Sequence, residues 1–83
     1  MYRLVLLAKV QKQLDLAPDS VRARILVKLQ AIQLDPFQGK KLEGQLKGIY
    51  SVRVVPFRIL YEIRKHELVI LVVKIGDRKD VYR

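Results

Sequence analysis

The sequence predicts an α+β domain: an N-terminal strand, an αα-hairpin, then an antiparallel three-stranded meander with the helices packed on one face of the sheet. Three observations carry this expectation. The second half of the chain is rich in Val, Ile, Tyr and Phe, in strand-length runs parted by short polar or proline breaks. Residues 8–34 instead space their apolar side chains at helical intervals, interrupted once at Pro18. Helices therefore come before strands rather than alternating with them, which segregates them to one side of an antiparallel sheet.

Tyr2–Leu7 is the first strand. Ala8–Leu16 follows as a helix, with Val10 and Leu14 one turn apart among Lys9, Gln11, Lys12 and Gln13. Pro18 suits the first turn of a second helix, where Asp19 meets the positive end of the dipole. Val21, Ile25, Leu29 and Ile32 form that helix's apolar stripe, and Arg22, Arg24 and Lys28 lie on other faces. Leu34-Asp35-Pro36-Phe37 ends it, because proline holds the preceding residue extended. Gln38–Gly48, with three glycines and three lysines, is a loop with a short extended piece around Lys41–Leu42.

The meander is expected as Ile49–Val55, Phe57–Arg64 and Leu68–Ile75. Alternation puts Tyr50, Val52 and Val54 on one face of the first strand, with Ser51, Arg53 and Val55 on the other. On the second, Phe57, Ile59, Tyr61 and Ile63 oppose Arg58, Leu60, Glu62 and Arg64. If the hairpin covers the apolar faces, Arg53 and Arg58 emerge together on the uncovered side. Leu68–Val73 is apolar on both faces, as an interior strand should be.

Eighty-three residues make a single domain, 1–83, with 51% hydrophobic residues to fill one core. There is no cysteine, so neither disulfides nor thiolate metal ligands can supplement it. No stretch approaches the roughly 20 apolar residues of a membrane span. The apolar N-terminus is too short for a signal peptide and runs into an amphipathic helix. A cytoplasmic protein is expected. Seventeen Lys and Arg against eight Asp and Glu give a net charge of +9, which favours polyanionic partners such as nucleic acid.

The residue inventory excludes most chemistry. His66 is the one histidine, in a charged turn, and reads as a solvated residue. Carboxylates are few and scattered, no Cys/His cluster exists, and no Gly-Lys-Ser/Thr loop appears, so neither metal nor cofactor is expected. Ser20 and Ser51 have no triad partners. Arginine, lysine and tyrosine remain. They suffice for phosphodiester transfer within RNA, where the substrate's 2′-hydroxyl is the nucleophile and the protein positions the backbone and stabilises charge. Arginine's planar fork matches phosphate oxygens.

Lys-Leu-Glu-Gly-Gln-Leu-Lys-Gly-Ile-Tyr-Ser-Val-Arg-Val, then Phe-Arg-Ile-Leu-Tyr-Glu-Ile, then Val-Lys-Ile-Gly-Asp-Arg-Lys-Asp-Val-Tyr resembles the RelE family of toxin–antitoxin toxins, within the RelE/ParE superfamily. The resemblance covers nearly the whole chain, including the Asp-Pro-Phe after the second helix. It implies a ribosome-dependent endoribonuclease that cuts mRNA in the ribosomal A site by 2′-hydroxyl attack. It also implies a cognate RelB-like antitoxin as partner, with operator DNA contacted only through the toxin–antitoxin complex.

Carried over by motif, Arg58 is the arginine at the scissile phosphate and Arg78 a second phosphate-stabilising arginine. Tyr82 stacks on a base or helps activate the 2′-hydroxyl, and Arg53 takes the place of a basic residue on the preceding strand. Lys40, Lys41, Lys47, Lys74 and Lys79 are the candidates for contact with RNA or the ribosome. Ser51 stands where well-studied members carry a basic residue, and Asp77 where many carry a histidine or a basic residue. Two other readings accompany this one: a ParE-like inhibitor of DNA gyrase on the same fold, and a catalytically weakened toxin that retains antitoxin binding. A structural alternative for Arg53 and Arg58 is ion pairing with Glu62 or Glu67.

Overall fold

The chain forms a five-stranded mixed sheet with two helices over one face. The structure, a computed structural model, describes residues 1–77. The elements run β1 (Arg3–Leu6), α1 (Ala8–Leu16), α2 (Asp19–Leu34), β2 (Lys40–Lys41), β3 (Ile49–Val54), β4 (Phe57–Arg64) and β5 (Val69–Asp77). Short 3-10 turns over Pro36–Gln38 and Gly44–Leu46 flank β2. Strand order across the sheet is β1-β5-β4-β3-β2.

The expected architecture of strand, helical hairpin and antiparallel meander is therefore the one observed, with two additions. The N-terminal strand joins the meander's sheet parallel to β5, with Arg3 opposite Val69 and Leu6 opposite Val72. Lys40–Lys41 adds a fifth strand antiparallel to β3. Boundaries move slightly. Val55 belongs to the β3–β4 turn, and β5 begins at Val69 because Leu68 sits at φ 54°, outside strand geometry. β5 then continues past Ile75 to Asp77. With β1 on one side and β4 on the other, β5 is an interior strand, as its two apolar faces require.

Packing follows the periodicities. Val10 and Leu14 of α1 and Val21, Ile25, Leu29 and Ile32 of α2 are buried against Tyr50, Val52, Val54, Ile59, Tyr61, Ile70, Val72 and Ile75 of the sheet. Each fully buried aliphatic side chain of this kind contributes roughly 1.5–3 kcal/mol. Arg22 fixes the hairpin: its guanidinium donates to the Asp15 and Ala17 carbonyls at 3.0 Å each and pairs with Asp19. Those carbonyls close α1, which has no basic residue in its last turn.

Three side chains tie the layers together. The Gln13 amide oxygen accepts from the Ile75 amide at 3.2 Å, where β5 runs beyond the end of β1. Arg24 donates to the Val55 carbonyl at 2.8 Å, and Gln33 donates to the Tyr2 carbonyl at 2.8 Å. Tyr61, fully buried, donates its hydroxyl to the Pro36 carbonyl at 2.7 Å and accepts from the Gly39 amide at 3.2 Å. Its ring stacks on Tyr50 at 5.6 Å, and Phe37 meets Tyr50 edge-on. This anchors the loop after α2 and so positions β2.

Candidate functional site

The face of the sheet that the helices leave uncovered carries the cations. Antiparallel pairing puts directly opposed residues on the same face. Arg53 of β3 stands opposite Arg58 of β4, and Arg58 stands opposite Gly76 of β5. The next row reads Lys40, Ser51, Leu60 and Lys74 across β2, β3, β4 and β5. Two arginines and two lysines from four strands therefore share one corner of the open face. Gly76 brings no side chain of its own to the far flank of Arg58.

Lys74 reaches this face through an irregularity. Ile70 and Val72 oppose Ile63 and Tyr61 on the helix side, and simple alternation would send Lys74 there too. The register shifts between Leu60 and Tyr61, so Val73 is an extra residue on β5. Lys74 consequently lies opposite Leu60 on the open face, while Ile75 returns to the core opposite Ile59.

Arg53 is exposed and Arg58 partly buried. Glu62 and Glu67, the carboxylates expected as alternative partners, turn to Arg64 instead, at 3.0 and 3.9 Å. Among the described residues no carboxylate lies within ion-pair distance of Arg53 or Arg58. The recorded partner of Arg58 is Ser51, whose buried hydroxyl accepts from the guanidinium at 3.4 Å. Two guanidiniums directly opposite each other, with no carboxylate partner among the described residues, repel, and an anion between them would relieve that repulsion.

The other expected residues fall apart from this corner or outside the described part. Lys41 is opposite Tyr50 and so points to the other face. With Lys47 it borders a concavity of about 390 Å³ whose remaining lining includes Leu42, Tyr50, Ile63 and Lys65. Lys65 also stands over the Phe37 ring at 5.4 Å from its centroid. Arg78, Lys79 and Tyr82 lie outside the described residues. His66 is exposed in the β4–β5 turn. Among the described residues no three His, Asp or Glu gather as metal ligands would, and no helix is long and apolar enough to cross a membrane.

The Ser51–Arg58 contact and the pairing of Gly76 with Arg58 were not anticipated from sequence. The alternation that placed Arg53 and Arg58 could have put Ser51 on their face, but not its hydroxyl within reach of Arg58. Tyr61, expected in the core, is there. Burial raises its hydroxyl pKa to about 12, partly opposed by the hydrogen bond from the Gly39 amide.

The sequence model of the ParE toxin of type II toxin–antitoxin systems, parDE, matches residues 4–82. No curated protein matches the chain significantly. Among solved structures, the chain resembles the toxin–antitoxin complex RelBE2 of Mycobacterium tuberculosis at TM-score 0.85 and 22% identity, covering 93% of this chain and 98% of that one. The isolated RelE toxin of E. coli superposes at TM-score 0.83 and 23% identity, over 99% of this chain and 92% of that one. The archaeal RelE–RelB complex of Pyrococcus horikoshii gives TM-score 0.78 and 25% identity, over 96% and 98%.

Proposed function

The chain belongs to the ParE toxin family of type II toxin–antitoxin systems, in the RelE/ParE superfamily, and from that premise we propose that it is a ribosome-dependent endoribonuclease cleaving mRNA in the A site. The observation that carries this reading is the opposed Arg53–Arg58 pair, unanswered by any described carboxylate, on an open cationic face. A site of that kind accepts a phosphate.

In the reaction, the RNA 2′-oxygen attacks the adjacent phosphorus and the bond to the 5′-oxygen breaks. The products are a 2′,3′-cyclic phosphate and a 5′-hydroxyl. Arg58, held by Ser51, bridges the non-bridging oxygens and offsets the charge that grows on them. Arg53 shares that load, and Arg78 is assigned the same task. Tyr82 is assigned the base stack or the activation of the 2′-hydroxyl. Lys40 and Lys74 steer the RNA backbone along the same face, and Lys79 is assigned to it. Lys41 and Lys47, on the other side of β2, are left for ribosome contact. An RelB-like antitoxin is the natural partner in the cytoplasm, and operator DNA is reached only through that complex.

The match to the ParE model supports keeping the second reading, a ParE-like inhibitor of DNA gyrase on the same fold. One experiment separates the two: induced expression with primer extension on a translated mRNA, beside a supercoiling assay with purified gyrase. Codon-phased cuts abolished by Arg58→Ala and Arg78→Ala support the interferase. Growth arrest without cuts, together with lost supercoiling, supports the gyrase inhibitor. Neither effect from a folded chain points to a weakened toxin that keeps its antitoxin.

A further inference from the structure

The concavity beside β2 lies on the side of the sheet away from the arginine pair, and two walls enclose it. Gly44 at φ 67° and Gly48 at φ 94° curl the β2–β3 connection back on itself. The Leu42 amide donates to the Ile49 carbonyl at 2.9 Å and closes that loop. The loop supplies Lys41, Leu42, Glu43 and Lys47 as one wall. Ile63 of β4 and Lys65 just after it supply the other, with Tyr50 of β3 between them.

Two features of this concavity call for a ligand. The first is a polar group without a partner. Tyr50 is only 8% exposed, its ring fixed by stacking on Tyr61 and by edge-on contact with Phe37. Its hydroxyl makes no hydrogen bond among the described residues, yet none of their fully buried side-chain oxygens lacks a partner. The hydroxyl is therefore the part of Tyr50 that reaches the concavity, held in place with its donor and acceptor unused. The second feature is charge. Lys41, Lys47 and Lys65 are exposed at the rim against the single carboxylate of Glu43. None of the three forms an ion pair among the described residues.

Cations at the rim and apolar walls below select an anion that carries an apolar body beside its charge. A volume of about 390 Å³ suits one small molecule, near the lower end of the roughly 300–1,000 Å³ of ligand pockets. We infer that this concavity binds one nucleoside 5′-phosphate, either free or as a unit of an RNA strand. The phosphate lies among Lys41, Lys47 and Lys65, and the base lies against Leu42 and Ile63. Tyr50 bonds the base edge through its hydroxyl, and Glu43 accepts from the ribose hydroxyls. The site is separate from the Arg53–Arg58 pair and does not depend on whether the chain cuts RNA.

The test is an NMR titration of the isotopically labelled full-length chain with adenosine 5′-monophosphate, beside adenosine and inorganic phosphate. Saturable amide shifts at residues 41–50 and 63–65 are expected. Adenosine and phosphate should each bind about tenfold or more weakly than the nucleotide. Joint Lys47→Ala and Lys65→Ala substitution, at two exposed sites, should weaken the nucleotide about tenfold. Tyr50→Phe keeps the stacked ring and should weaken it about threefold or more. Unchanged melting curves would verify folding of both variants. Absence of saturable shifts would overturn the proposal, as would shifts confined to the strands around Arg53 and Arg58. So would phosphate binding within about twofold of the nucleotide, or an unaltered affinity in the double lysine variant. An excess of 5′-phosphorylated oligoribonucleotide then identifies the source. Displacement of the mononucleotide assigns the supported site to RNA, and retention assigns it to a free nucleotide. Binding is the readout, so failure of the cleavage reading leaves the result intact.

Discussion

Arg53 faces Arg58 directly across the β3–β4 ladder, and the nearby carboxylates of Glu62 and Glu67 are both turned to Arg64. A like-charge pair in this position opposes folding by roughly 0.2–1 kcal/mol. Arg53→Ala should therefore make the free chain slightly more stable and, if the cleavage reading holds, lower RNA cleavage. Thermal melts at low salt should show the gain, and added salt should shrink it. Inorganic phosphate should stabilise wild type more than Arg58→Ala, since a ligand bound only by the folded state raises its melting temperature. Equal phosphate shifts in both proteins would count against a phosphate site there.

Lys40 and Lys41 are neighbours in sequence but lie on opposite faces of β2. If single-stranded RNA follows the Arg53–Arg58 face, Lys40→Ala should flatten the logarithmic salt dependence of RNA binding by roughly 0.7, the contribution of one phosphate contact. Lys41→Ala should leave that slope unchanged. Filter binding across a salt series measures both.

Gly39 has no room for a side chain. A Cβ there would lie 2.5 Å from the Tyr61 hydroxyl and 3.2 Å from the Ser51 carbonyl. Gly39→Ala should cost about 1–3 kcal/mol in denaturant unfolding, as overpacking does. Tyr61→Phe removes the nearest clash but also the bond to Pro36. The double variant should accordingly be less destabilised than the two single losses added together.

The same hydroxyl gives a pH dependence. Its pKa rises from 10.0 to about 12 on folding, chiefly through burial. The folded state thus holds this proton more tightly, so the contribution is complete below pH 10.0 and is lost as pH rises through about 12. Wild type should lose stability over that window more steeply than Tyr61→Phe. Parallel denaturation curves at stepped alkaline pH would show it.

The parts legible in the sequence were those governed by local periodicity. Alternation around the Val55-Pro56 break was enough to place Arg53 and Arg58 on one face, and helical spacing to identify the α2 core stripe. Position within the sheet was legible only where composition reports it, as for the apolar interior strand β5. The rest depended on pairing between distant segments. Nothing local in Arg3–Leu6 states that it runs parallel to β5. Nothing in Lys40–Lys41 states the register that parts the two lysines, because a slip of one residue exchanges faces. Lys74 joined the cationic corner through a single extra residue, Val73, which alternation alone misplaces. For the site, sequence supplied the charged groups, while Ser51 and Gly76 acquired their roles only through cross-strand neighbours.

The parallel β1–β5 pairing also sets an order of events during synthesis. Among the described residues β1 pairs only with β5, which follows it after both helices and three other strands. It must wait until β5 has been made and has cleared the ribosome. Contacts so distant along the chain form late and slowly. The β1–β5 seam is therefore the last part of the sheet to close, after the β3–β4 ladder that carries the arginine pair has formed.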